Sequence, residues 1–320
     1  MKTVLITGAT GLIGGAILRH FHAAGWKTII GSSRTDISPV AKNVETIEYQ
    51  LNPQWEMEPL TEVIDRSDVI IHAAAVIPAA ISKLGEAAKA KELSNLYSFN
   101  AEGTYRLMEL VSSLGVGTFV NMSGINMFGP DEGVYGEELT PQAVNPYGLS
   151  KQISEIHAEY FNRISDSNFF NFRVVAPYGY GYQIKAVLAL FVERAMSDNN
   201  LELMGTGARE QVFTYVDDVA YACQLAIEGG KPGTYNITGP GAITMKTLAD
   251  TIIELLPNSK AKVVYNNQPD PNEGQTRSVP LAKAYKGLGF TPKFDIASGL
   301  QSMIQEMQNP PAALYKFTNN

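Results

Sequence analysis

Cysteine is nearly absent from this 320-residue chain: Cys223 stands alone, so no intrachain disulfide can form and a reducing compartment is the simple reading. It lies in the apolar run 219–227 at helical spacing, which reads as a buried structural thiol. Histidine is scarce too. His20, His22, His72 and His157 fall at no zinc-ligand spacing, so no metal site is expected. No apolar run reaches the roughly 18 residues of a membrane-spanning helix. The first residues, Met1-Lys-Thr-Val-Leu-Ile6, read as a strand rather than a cleavable leader, and a cytoplasmic protein is expected. Positive charge is in deficit. Lys and Arg number 25 against 32 Asp and Glu, a net charge of −7, which argues against nucleic acid or an anionic membrane as principal partner. A hydrophobic content of 45% with 18% charged residues excludes disorder and collagen-like repeats.

The first half alternates strand and helix. Val4–Thr7, Lys27–Ile30, Thr46–Leu51, Val69–Ala75, Thr118–Met122 and Asn171–Val175 read as strands, several almost wholly apolar. Amphipathic stretches lie between them, at Leu12–Ala24, Glu102–Leu114 and 151–164. Apolar strands with helices between them indicate a parallel sheet covered on both faces. The expected architecture is α/β: a Rossmann-type doubly wound parallel sheet with a smaller, discontinuous α/β substrate lobe. Residues 1–175 plus about 212–238 would form the first domain, and about 176–211 plus 239–320 the lobe.

Two motifs carry chemistry. Gly8-Ala-Thr-Gly11-Leu-Ile-Gly14 follows the first strand and opens the first helix. Glycines let the turn close and a pyrophosphate approach the backbone, while the helix start offers unpaired N–H groups. The end of the second strand selects between nicotinamide nucleotides. An acid there would hold the ribose 2′-hydroxyl, but the chain reads Gly31-Ser-Ser33-Arg34-Thr-Asp36. Arg34 beside two hydroxyls makes a 2′-phosphate clamp, so NADP is expected in preference to NAD, although Asp36 follows closely. The second motif is Tyr147-Gly-Leu-Ser-Lys151, a phenol and an ammonium on one helix face. A nearby ammonium favours the phenolate and would lower its pKa toward neutrality, fitting it to move a hydroxyl proton during hydride transfer.

With these residues in view, the chain resembles the extended short-chain dehydrogenase/reductases, the NAD-dependent epimerase/dehydratase family. The likeness also rests on Asp68-Val-Ile-Ile-His-Ala-Ala-Ala75, Asn100-Ala-Glu-Gly-Thr104, Phe213-Thr-Tyr-Val-Asp-Asp218, Tyr235-Asn-Ile237 and Leu288-Gly-Phe-Thr-Pro292, in order. The resemblance implies that Gly8, Gly11, Leu12 and Ile13 meet the pyrophosphate and that Ala73, Ala74 and Ala75 line the cofactor ribose. Thr10, Gly14, Ser33, Leu51 and Pro177 would complete the cofactor site. It makes Tyr147 the acid–base residue, Lys151 its partner at the nicotinamide ribose, and Asn100 a support behind the lysine. It places Asn126, Tyr178, Arg209 and Arg277 toward the substrate, and the helices around 92–114 and 149–164 in a homodimer.

The chain departs from the family pattern at three points. The family's usual Ser or Thr, four residues before the aromatic of the pair that reads Phe128-Gly129 here, is Gly124. Ser123 lies one position early, on the other face of a strand. It would need a bulge to serve, unless Asn126 donates instead or activity is weak. Ile125-Asn126 lacks the carboxylates of the 4,6-dehydratases, and Ala176 stands where an asparagine often meets a diphosphate. The leading expectation is an oxidoreductase or epimerase acting on a carbonyl or hydroxyl carbon of a nucleotide-linked sugar. The alternatives are a reductase of a small ketone, favoured by Ala176 and by Tyr178, Tyr180 and Tyr182, and a regulatory nicotinamide-binding protein.

Overall fold

Seven short runs rich in β-branched and aromatic residues pair edge to edge as one parallel sheet. The computed structural model describes residues 1–77, 86–128, 133–181, 186–275 and 277–318. In spatial order the strands are Gly233–Ile237, Asn168–Val174, Thr118–Gly124, Val69–His72, Thr3–Thr7, Lys27–Ser32 and Val44–Glu48. The chain therefore starts mid-sheet, builds outward one way, then returns past Thr3–Thr7 to build the other way. That reversal opens a crevice at the carboxyl ends of Thr3–Thr7 and Val69–His72, where such sheets bind ligands.

Both faces are covered, as the apolar strands with helices between them imply, because successive side chains leave a strand on opposite faces. Val4 and Ile6 join Ile17, Leu18 and Phe21 of the Leu12–Ala23 helix and Val219, Ala222 and Cys223 of the Val216–Ile227 helix. Leu5 points the other way, into a core with Leu107, Met108, Ala158, Phe161 and Phe169. Cys223 is fully buried, and burial pushes its thiol up, as a structural cysteine requires. A third core, centred on Phe191, Val192, Leu248, Ile252 and Leu300, lies among residues 176–215 and 245–307.

Three boundaries differ from the sequence reading. The third strand is Val44–Glu48, because its register with Lys27–Ser32 ends at Ser32↔Glu48. The fourth stops at His72, leaving Ala73–Ala75 to turn against Gly8. The helix bearing the second motif begins at Pro146, one turn early. Asn145 caps it, its Oδ1 accepting from Gly148 N at 2.8 Å, and proline suits the first helical position. Along its outer side Leu149, Ile156, Tyr160 and Ile164 stay exposed. A π-helical turn, Ser98–Gly103, precedes the Thr104–Leu114 helix and brings Asn100 inside at 1% exposure. Among the described residues no helix is long and apolar enough to cross a membrane, and no group of acids, histidines and cysteines could hold a metal ion.

Candidate active site

A cavity of about 1170 Å³ fills the crevice at the sheet reversal. One end is the glycine turn. Gly8 has φ +71°, and a Cβ there would come within 2.6 Å of Ala74 N and 2.8 Å of Ala73 O. A Cβ on Gly14 would meet Gly8 O at 2.2 Å. Only hydrogen fits at either position, so the turn packs tightly against the 73–74 backbone and against the start of its own helix. Gly11 caps the following helix without any side-chain hydrogen bond, which leaves the amides of the first turn directed at the cavity. Thr10, Gly11, Leu12, Ile13 and Gly14 line this end, with Ser33, Leu51, Ala73, Ala74 and Ala75 along the floor and Pro177 opposite. All the residues expected to hold a dinucleotide thus converge here, except Arg34.

Arg34 is the first correction. It does not line the cavity; its Nε and Nη2 donate to the two carboxylate oxygens of Asp36 at 2.9 and 2.6 Å. The clamp expected for a 2′-phosphate is therefore occupied by a carboxylate.

The other end holds the phenol and the ammonium. Tyr147 and Lys151 both line the cavity, one helical turn apart. Lys151 is 5% exposed and its Nζ donates to Met122 O at 2.8 Å. Burial pulls its pKa down to about 8, against the opposing pull of Glu155 one turn further along the helix. The phenol corrects the sequence argument. Burial holds the Tyr147 pKa above its ordinary value, and Lys151 Nζ, 6.0 Å from the ring centroid, spends one of its three N–H donors on the Met122 carbonyl.

Asn100 locks the floor to this helix. Its Oδ1 accepts from Val76 N at 2.7 Å, and its Nδ2 donates to Val76 O at 2.8 Å and Ser150 Oγ at 3.3 Å. Ser123 resolves differently from the bulge considered above. The ladder between Thr118–Gly124 and Asn168–Val174 runs unbroken to Gly124↔Val174. On the same parity as Ser123, Asn121 bonds Ser154 at 3.1 Å, so Ser123 faces the 146–164 helix. Ser123 still borders the cavity, and its Oγ is buried without a hydrogen-bond partner. Gly124 is extended at φ −163°, and a Cβ would stand an ordinary 3.5 Å from Val174 O. The backbone does not demand glycine there; the missing side chain is open space in the cleft.

The expected substrate residues fare less well. Tyr178 is 3% exposed and packs with Phe213 and Tyr215, its hydroxyl seated over Gly299, so it belongs to the third core. Arg209 does not line the cavity either, and forms an ion pair with the buried Asp270 at 3.4 Å. Both corrections have one cause: each side chain meets a partner from a remote segment. Tyr180 instead stacks beneath Arg19 at 5.8 Å. Tyr182 and the side chains of Asn126 and Arg277 lie outside the described residues.

Sequence reasoning missed two features. The apolar wall of Ile77, Phe99, Ile125, Phe128 and Val144 carries no periodic signal. The buried ion pair of Glu155 with Arg173, at 2.8 Å with both side chains 4% exposed, had one clue: Glu155 lies four residues after Lys151.

A family model described as the NAD dependent epimerase/dehydratase family matches residues 4–238. A dTDP-glucose 4,6-dehydratase of Streptomyces niveus is 28% identical over 321 residues, 94% of this chain and 91% of that one. UDP-glucuronic acid decarboxylase 4 of Arabidopsis thaliana is 24% identical, covering 95% of this chain and 68% of its own. Among solved structures, UDP-glucose 4-epimerase of Thermotoga maritima with UDP-glucose superposes with TM-score 0.80 at 24% identity, over 96% of this chain and 98% of that one. UDP-glucuronic acid 4-epimerase of Bacillus cereus, with UDP-glucuronic acid and NAD, gives TM-score 0.77 at 19% identity, over 96% and 99%. At such identities the superpositions speak for the fold.

Proposed function

The chain belongs to the NAD dependent epimerase/dehydratase family, and on that premise we propose that it interconverts a carbonyl and a hydroxyl carbon by hydride transfer, with Tyr147 as acid–base residue. The observation that carries this reading is the single cleft joining the glycine cradle to Tyr147 and Lys151. A nicotinamide dinucleotide in that cleft supplies the hydride acceptor or donor.

The remaining work belongs to the chain. The amides of residues 11–14 and the Gly8 turn hold a pyrophosphate without side-chain charge. The Tyr147 phenol gives a proton to the carbonyl oxygen on reduction and takes it back on oxidation. A phenol whose pKa is held up by burial is poised as the acid until charge develops beside it. Lys151, anchored to Met122 O and 6.0 Å from the Tyr147 ring centroid, keeps positive charge beside the phenol and would favour the phenolate when the proton leaves. Asn100 acts as a positioning residue for the 73–76 floor. The unsatisfied Ser123 hydroxyl, which lines the same cavity, is a further donor for the reacting oxygen.

The dinucleotide is NAD in this reading. The NADP preference expected above rested on Arg34, whose fork is spent on Asp36, and the Bacillus cereus relative holds NAD. Sugar nucleotides named for the relatives make a nucleotide-linked sugar the first substrate class to try. The apolar wall around Gly124 and the neutralised Arg209 favour a small apolar ketone as the second. The exposed stripe on the 146–164 helix is the surface for a homodimer.

The direct test is to denature the purified protein, identify any nucleotide released, and titrate the empty chain with NADH. Released NAD, or saturable NADH binding, is expected. An empty protein that binds neither NADH nor NADPH overturns the reading.

A pH profile tests Lys151 separately. Its folded pKa lies below the ordinary lysine value, so the ammonium is present below about 8 and lost as pH rises through that value. Turnover should fall on the alkaline side with a limb near 8. A profile flat to pH 10 (, roughly the free-phenol range) would remove the ammonium from the mechanism.

A further inference from the structure

We propose that Asp36 and Phe317 set the nucleotide selectivity of this cleft by holding Arg34 away from the ribose 2′ position. The inference rests on the dinucleotide reading above. In sheets of this topology the end of the second strand is where a ribose 2′-hydroxyl or 2′-phosphate is met. Ser32 and Ser33 line the cavity there, and Arg34 follows immediately, its backbone N–H donating to Ser32 Oγ at 3.0 Å. The guanidinium is thus placed to reach a 2′-phosphate, and two separate contacts keep it elsewhere.

The first contact is the Asp36 carboxylate, which takes Nε and Nη2 in a two-point grip. A phosphate arriving from the cavity meets a guanidinium whose Nε and Nη2 are already taken by a carboxylate. The second is Phe317, whose ring lies 4.2 Å from the guanidinium carbon and covers one face. Neither partner is loose. The strand Tyr315–Phe317 pairs antiparallel with Ile37–Pro39, in register Phe317↔Ile37, and Thr318 N donates to Asp36 O at 2.7 Å. One short ladder therefore holds the backbone of Asp36 beside that of Phe317. Asp36 is 14% exposed at its side chain against 50% for Arg34, so the acid is the better-held member of the pair. Selectivity then depends on a strand far from the glycine turn in sequence.

The experiment measures dissociation constants of NADPH and NADH for the full chain, by fluorescence or calorimetry. The variants are Asp36→Asn, Phe317→Ala, Arg34→Ala and the double Asp36→Asn/Arg34→Ala. The wild type should prefer NADH. Asp36→Asn should raise NADPH affinity relative to NADH by about tenfold, the scale of one charge-assisted contact. Phe317→Ala should move the ratio the same way by less. The gain should vanish in the double variant, because it needs the freed guanidinium. An unchanged ratio in Asp36→Asn overturns the proposal. A gain that survives in the double variant overturns it too, since repulsion by Asp36 alone would then explain selectivity. Thermal melts of all variants separate misfolding from altered choice, and Phe317→Ala offers a second route should Asp36→Asn fail to fold. Failure of wild type to bind either nucleotide removes the dinucleotide reading itself, whereas binding with an unmoved ratio removes this inference alone.

Discussion

Tyr147→Phe is expected to lower turnover by about 10²–10⁴-fold, the range a positioned acid–base group contributes, while NADH affinity stays as in the wild type. The two halves of that result test different parts of the site. The ring of Tyr147 packs at the cavity wall, and phenylalanine keeps its bulk; only the proton-carrying oxygen is lost. The glycine turn that would hold the pyrophosphate is at the opposite end of the cleft and does not touch the phenol. Single-turnover kinetics with bound NADH and each candidate substrate would measure the step directly. Retained turnover would show that another group moves the proton, with Ser123 the first to examine, because its hydroxyl is buried and unpartnered.

Glu155→Ala should destabilise the fold by about 3–5 kcal/mol, the usual cost of leaving one member of a buried ion pair uncompensated. Arg173 is 3% exposed, donates from Nε and Nη2 to Glu155, and its Nη1 has no hydrogen-bond partner. Its guanidinium also stacks over Phe128, 5.3 Å from the ring centroid, and Phe128 lines the cavity. Losing the carboxylate therefore strands a charge directly behind the reacting end of the cleft. Urea unfolding monitors the effect, and a loss below about 1 kcal/mol would place the pair in the weak class of surface bridges. Replacing both members, as Glu155→Leu with Arg173→Met, should recover much of the loss, because an apolar pair of similar volume leaves no charge to solvate.

Much of the site was legible from short-range pattern. Glycine spacing after a strand located the cradle, since only glycine tolerates φ +71° with Ala73 and Ala74 pressed against it. The four-residue interval between Tyr147 and Lys151 placed both on one face, although the Asn145 cap and Pro146 that start their helix came only with the structure. Nearly continuous apolar strands with helices between them announced a sheet buried on both faces, and Leu5 and Ile6 enter opposite cores. These properties follow from backbone geometry that repeats within a turn or a pleat, so a local window suffices to read them.

What the window could not contain was the partner of each charged or polar side chain. Arg34 reads as a phosphate clamp until the strand Tyr315–Phe317 folds back beside Asp36 and supplies its stack. Arg209 reads as a substrate residue until the 266–275 loop brings Asp270 to it. Tyr178 reads as substrate wall until Gly299 leaves room for its hydroxyl inside the third core. Lys151 offers its ammonium to a phenol on sequence grounds, yet a carbonyl on the neighbouring strand takes the hydrogen bond and burial moves the pKa. The sequence by itself determined the cradle, the Tyr147–Lys151 pair and the sheet that carries them. Tertiary structure decided which charges stay free to act, because pairing and desolvation depend on segments that only folding brings within a few ångströms.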